Sequence, residues 1–270
     1  MALLAAGGAQ ILSGGTDFYP ALGDRVVHGP VVDVSALGEL RGISSDAGYF
    51  RIGGVTTWSE IIRTPLPRCF NALKNAAREV GGVQIQNRGT VAGNLCNASP
   101  AADGVPPLLA LDAEVELVSN VGVRRMPLAD FIVGNRKTQR KPDELLTSVL
   151  VPRALDDAAS TFVKLGARRY LVISISMVAV VVKIRDEHGD RKVLEARVAV
   201  GSCSAVARRL RVLEAELVGA SVSDGLGEMV RPEHLAPLSP IDDVRATAEY
   251  RMDASLRLVQ RALNSCVENG

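Results

Sequence analysis

The chain has 270 residues, 47% hydrophobic and 23% charged, and its 31 basic and 30 acidic side chains leave a formal net charge of +1. That composition excludes a disordered chain, and the balanced charge supplies no global field to draw it to nucleic acid or an anionic membrane. Aromatic residues make up only 4%, too few for a stacking surface on single strands.

A short apolar helix end precedes a strand at residues 9–12, followed by the small-residue turn Ser13-Gly14-Gly15-Thr16-Asp17. Residues 26–34 are rich in valine and read as a strand, with Pro30 demoting part of it to an edge. Residues 49–55 form another strand and run into Thr57, which can cap a helix at 59–63 with Glu60 completing a capping box. Over residues 70–80, Phe70, Leu73, Ala76, Ala77 and Val80 share one helical face, and Gly81-Gly82 stops the helix. A polar, glycine-spaced segment occupies residues 84–94. A helix is expected at 106–111, a strand at 113–119 with a hairpin partner at 124–126, a helix at 128–133, and a strand at 144–151 ended by Pro152.

The stretch after Pro152 is the best boundary, dividing the chain into domains at 1–155 and 156–270. The second part reads as a strand at 160–165, a long strand at 174–185 with a helical start left open, a turn at 187–190 and a returning strand at 193–201. Helices at 208–217 and 246–264 complete it.

Cys69, Cys96, Cys203 and Cys266 lie far apart with no CxxC pair, and the three histidines occupy separate contexts. No metal or iron–sulfur site is therefore expected on this chain, nor any catalytic side chain. The most apolar stretch, residues 171–182, is interrupted by Ser174 and Ser176 and is too short to span a bilayer as a helix. Residues 1–6 lack the basic start of a signal peptide, so a cytoplasmic location is expected, without membrane or nucleic-acid partners.

Two segments carry chemistry. Consecutive glycines in the turn at residues 13–17 let backbone N–H groups converge on an anion, and Thr16 adds a hydroxyl; a tight turn is the bland alternative. No Gly-Lys-Ser/Thr follows, and no GxGxxG occurs, which disfavours P-loop and Rossmann sites. The second segment, residues 87–103, is dense in asparagine, serine and aspartate, as around a buried polar ligand; a long solvent loop is its bland reading.

Together these segments resemble the FAD-binding subunits of molybdenum hydroxylases, the family of the carbon monoxide dehydrogenase medium subunit and the flavin portion of xanthine dehydrogenases. The family's glycine loop corresponds to residues 13–17, its second loop to Thr90-Val91-Ala92-Gly93-Asn94, and the following motif to Ala98-Ser99-Pro100 with Asp103. The likeness continues through Gly134-Asn135-Arg136-Lys137-Thr138, Phe162-Val163-Lys164 and Pro240-Ile241-Asp242-Asp243 in the family's order. Family members usually begin earlier, with a strand and a helix ahead of the glycine loop, and Met1 here falls inside that helix.

The resemblance implies an α+β protein: a vanillyl-alcohol-oxidase (PCMH)-type FAD-binding domain of two lobes, then a small α+β C-terminal domain. It implies that Leu12, Ser13, Gly14, Gly15, Thr16, Asp17 and Phe18 wrap the FAD pyrophosphate, with Thr90, Ala92, Gly93 and Asn94 as the cradle's second side. Asp103 would accept hydrogen bonds from FAD hydroxyls, Leu146 would pack on a ring face, and Lys164 would sit near the flavin, so that Lys164→Met should lower its potential. Molybdenum cofactor and [2Fe–2S] clusters would reside on a large and a small partner subunit, with electrons leaving to NAD or another acceptor. Two other readings stay open: a self-contained flavin oxidase or dehydrogenase of the same superfamily, and a scaffold subunit that has lost FAD. The basic clusters at residues 136–141, at Arg168-Arg169 and at Arg208-Arg209 read as solvated faces, with partner subunits or a nucleotide phosphate as the functional alternatives.

Overall fold

The structure is a computed structural model and describes residues 1–268. Its first part is organised by the strand Leu145–Pro152, whose residues 146–151 are all buried. A strand buried on both faces belongs in the middle of a sheet. It pairs antiparallel with Tyr49–Gly53 on one side and Glu114–Ser119 on the other, and Ile43–Ser45 and Gly122–Pro127 form the edges.

The helix Trp58–Arg63 opens with the expected capping box between Thr57 and Glu60. Asn71–Glu79 buries Ala72, Leu73, Ala76 and Ala77, while Phe70 closes a preceding 3-10 turn and Val80 is already extended. The polar segment at residues 84–94 is more regular than its composition indicates, forming the short helices Val83–Gln86 and Val91–Asn97. The strand expected at 26–34 shrinks to Val31–Asp33, beginning after Pro30, which has no N–H for a ladder. It pairs in parallel with Gln10–Leu12, and these two short strands carry the glycine turn.

The second part is a four-stranded antiparallel sheet in the order Ala159–Leu165, Ser176–Glu187, Asp190–Gly201, Arg208–Arg209. Side chains alternate across it with the period of two that a strand imposes. Met177, Ala179 and Val181 join the core shared with the first part, whereas Val178, Val180 and Val182 face the helices Arg211–Leu217 and Ala248–Glu268. Burial on both faces explains why residues 177–182 of this strand are apolar without a break, and it has no helical start. The helix expected at 208–217 is shorter: Arg208 and Arg209 pair with Val200 and Ala199, and Leu210 leaves the helical region at φ −93°, ψ 68°. The whole is the α+β arrangement expected, with two larger antiparallel sheets, helices packed against them, and the small parallel pair that carries the glycine turn.

Candidate functional site

A cavity of about 620 Å³ opens where the glycine turn meets the start of the helix Val91–Asn97, within the range of about 300–1,000 Å³ common for cofactor sites. The strand Gln10–Leu12 delivers the turn to this place. Gly15 adopts φ +76°, and a Cβ there would meet the Tyr19 ring at 2.8 Å. At Gly14 a Cβ would collide with the carbonyl of Arg88, so only glycine lets the turn lie backbone-to-backbone against residues 88–89. The N–H groups of Gly14, Gly15 and Thr16 meet no acceptor among the described residues.

Across the cavity, Thr90 caps its helix, its Oγ1 accepting from the Gly93 N–H at 3.1 Å. The same oxygen lies 3.1 Å from Ser13 Oγ, which ties the two loops together. Asn94 Oδ1 is buried and without a partner, although its residue lines the cavity. That oxygen is closed off beside Gly104, but the unspent N–H donors of the glycine turn at the cavity wall are the signature of a polar ligand's place. A phosphate-bearing cofactor fits that donor set.

Of the residues singled out from sequence, Ser13, Gly14, Gly15, Thr16, Asp17, Phe18, Thr90, Ala92, Gly93, Asn94 and Leu146 line this one cavity. Leu12 stands behind it, against Gly15. The structure does not bring Asp103 and Lys164 into the lining. Lys164 Nζ lies 2.7 Å from Asp103 Oδ2, with side chains 7% and 9% exposed, and also donates to the Glu79 carbonyl at 3.3 Å. Ser174 Oγ donates to the other Asp103 oxygen at 2.6 Å. Burial pushes the Asp103 carboxyl above its ordinary range, and the lysine and serine only partly pull it back. Glu79 adjoins Val80, a wall residue, so the pair sits behind that wall.

Among the further lining residues not assigned to a site from sequence are Trp58, Cys96, Arg136 and Arg140. The arginines belong to a cluster that reads as a solvated face, because nothing local shows that the hairpin Ile132–Gly134 and Lys137–Thr138 folds back onto the helix end at Ala98. Burial pushes the Cys96 thiol up to about 11, so at neutral pH it is protonated and no nucleophile. Among the described residues there is no group of three or more His, Cys, Asp or Glu that could hold a metal, and no helix long and apolar enough to cross a membrane.

Known proteins share this design. Residues 1–154 match the family described as the FAD binding domain in molybdopterin dehydrogenase, and residues 161–266 match the CO dehydrogenase flavoprotein C-terminal domain. The xanthine dehydrogenase FAD-binding subunit of Escherichia coli O157:H7 is 30% identical over 265 residues, covering 96% of this chain and 89% of the relative. The nicotinate dehydrogenase FAD-subunit of Eubacterium barkeri is 39% identical over 181 residues, covering 65% of this chain and 61% of the relative. Among solved structures, carbon monoxide dehydrogenase from Hydrogenophaga pseudoflava superposes with a TM-score of 0.85 at 26% identity, over 99% of this chain and 93% of that one. With both family matches in order along one chain, and a cavity built for a phosphate-bearing cofactor, this protein belongs to the FAD-binding flavoprotein subunits of the molybdenum hydroxylases.

Proposed function

We propose that this subunit relays electrons inside a molybdenum hydroxylase, receiving them from [2Fe–2S] clusters of a small partner subunit and passing them to NAD or another soluble acceptor. The substrate would be oxidised at a molybdenum cofactor on a large partner subunit. The observation that carries this reading is the cavity between two loops, walled on one side by the unspent N–H donors of the glycine turn and on the other by the start of the helix Val91–Asn97. FAD held there supplies a centre that takes electrons singly and releases them as a pair.

The chain's own residues bind and orient. Residues 13–18, with Leu12 behind them, would hold the pyrophosphate together with Thr90, Ala92, Gly93 and Asn94. Leu146 would lie along a ring, and the Asp103–Lys164 pair would back the wall at Val80, beside the isoalloxazine. Cys96 stays protonated, and Asp17, the one carboxylate among the described lining residues, belongs to the glycine turn assigned to the pyrophosphate. That favours a relay over a self-contained oxidase. The division near residue 155 would separate the cofactor-binding part from a C-terminal part that buttresses it through the shared core. The four unpaired cysteines accord with a cytoplasmic complex.

The test is reconstitution. The purified chain incubated with FAD should show flavin absorption after desalting, and a reduced iron–sulfur partner should bleach it. Bleaching by a hydroxylase substrate with no partner present would establish the self-contained enzyme instead. Failure to take up FAD would leave a scaffold subunit.

A further inference from the structure

Three charged side chains line the cavity, Asp17, Arg136 and Arg140, and the two arginines lie outside the cradle. Arg136 stands at the C-terminal end of the helix Val91–Asn97, bonded to Asn97 and Ala98, and Arg140 follows with its amide on Thr138. At about 1.5 Å of rise per residue, that end lies about 10 Å from Thr90 and the cradle. Gly89 precedes Thr90 at the start of the helix, its amide donates to the Ile85 carbonyl, and Ile85 lies against Gly81, next to Val80.

Both arginines are set in place before any ligand arrives. Arg136 holds φ +54°, a region costly to a side chain with a Cβ. Its N–H donates to the carbonyl of Ala98 at 2.9 Å, a residue itself at φ +47°, and its Nη1 donates to Asn97 Oδ1. Arg140 Nη1 donates to the carbonyls of Lys141 at 3.0 Å and Glu144 at 2.7 Å. Among the described residues no carboxylate pairs with either guanidinium, so each retains its charge and further N–H donors. Backbone strain fixed in this way is characteristic of ligand clamps. Planar cations beside Leu145, which follows the Glu144 carbonyl that Arg140 holds, suit a flat aromatic ring rich in hydrogen-bond acceptors.

FAD has two such rings on opposite sides of its pyrophosphate. The proposed function sets the isoalloxazine toward Val80 and the Asp103–Lys164 pair, which leaves the arginine end for the purine. We infer that Arg136 and Arg140 recognise the adenine half of the cofactor and make this chain select the flavin dinucleotide over the mononucleotide. The inference rests on the flavoprotein reading above.

Titration of the FAD-free chain with FAD, FMN and ADP tests it, with flavin fluorescence or heat as the signal. In Arg136→Gln/Arg140→Gln, affinities for FAD and ADP should fall on the order of 100-fold, while that for FMN changes by less than about threefold. Arg136→Lys keeps the charge without the planar fork and should weaken FAD as well. The potential of bound FAD should stay where it is in the wild-type chain. Equal weakening of FAD and FMN, or a shifted potential, would place the arginines at the isoalloxazine and overturn the assignment. So would full recovery by Arg136→Lys, or unchanged FAD binding in both single Arg→Gln variants. A wild-type chain that takes up no flavin would sink the flavoprotein reading together with this one; wild-type uptake with unaffected variants would sink only the arginines' role.

Discussion

The two loops that meet at Ser13 and Thr90 stand on unlike ground. Of residues 1–40 only Leu4 and Val34 are buried, and the first loop hangs from a parallel pair of three-residue strands. The second loop is rooted in the main core: Val91 and Leu95 are fully buried, and the Val91 and Ala92 amides donate to the carbonyls of Thr56 and Gly54. Segments with little apolar burial open at small cost, whereas core-anchored ones open only with the whole fold. A cofactor gripped by both must therefore help to order the first, and its binding stabilises the ordered form by mass action. Half of the recognition is built into the core and half is completed by the ligand.

The sharpest way to break this arrangement is Gly14→Val. The new side chain would collide with the Arg88 carbonyl and part the loops. FAD affinity should drop by a factor on the order of 100 or more, since cradle hydrogen bonds to a charged group are lost together. Melting of the cofactor-free chain should hardly move, because the first loop adds little to the core. Absorbance after desalting and a melt without FAD check both halves; a variant that keeps its flavin would show that the loops need not touch. Gly15→Val weakens the site for a different reason: its branched Cβ would strain a φ of +76° and press on Tyr19, costing roughly 1–3 kcal/mol.

Lys164→Met should act on the opposite quantity, the stability of the fold. It leaves the buried Asp103 without its ion-pair partner, and such a loss costs about 3–5 kcal/mol. Burial already raises the Asp103 pKa, and removal of the ammonium raises it further. A carboxyl whose folded pKa exceeds its unfolded one favours folding when protonated. The deficit should therefore be full at high pH and shrink as pH falls through the raised pKa. Denaturant melts at pH 8 and pH 5 read this, and Lys164→Met/Asp103→Asn should recover much of the loss. An equal deficit at both pH values, with no recovery in the double variant, would remove the pair from the explanation. The pair also changes what is expected of the flavin. A lone lysine would raise the potential at every pH, but the pair as a whole is neutral, so the effect of Lys164→Met depends on Asp103. Where Asp103 is ionised the variant leaves a net negative charge and the potential should fall, and the fall should shrink as pH drops through the raised pKa, whereas a reading of Lys164 by itself implies no such dependence.

That contrast marks how far the sequence is legible. Local rules place the capping box at Thr57 and Glu60, the apolar face of Asn71–Glu79, and the glycine turn, because each is decided by neighbours along the chain. The partnership of Asp103 with Lys164 spans 61 positions, and only the folded sheet brings the two together. The helix Val91–Asn97 is half legible: Thr90 is a good cap and Val91 and Leu95 have helical spacing, but glycine and asparagine in its body mask the pattern. Arg136 and Arg140 look like a charged surface loop until the Arg136 amide is seen on the Ala98 carbonyl. Arg208 and Arg209 read as the start of a helix, yet tertiary pairing with Val200 and Ala199 draws them into the sheet.

The mildest probe of the comparison is Thr90→Val, which keeps shape and removes one oxygen. That oxygen caps the helix through the Gly93 N–H and meets Ser13 Oγ across the cavity mouth. Loss of a threonine cap costs about 1 kcal/mol, which in a chain of this size lowers the melting temperature by roughly 2–4 °C. FAD affinity should fall only a few-fold, because the N–H donors of the glycine turn remain. Thr90→Ser separates the two roles of the side chain, restoring the hydroxyl without the methyl. If serine recovers both melting temperature and affinity, the hydroxyl links the rooted loop to the loosely held one. If serine recovers neither, packing of the methyl against the core is what Thr90 contributes, and the link between the loops must run through the backbone contact of Gly14 with Arg88 alone.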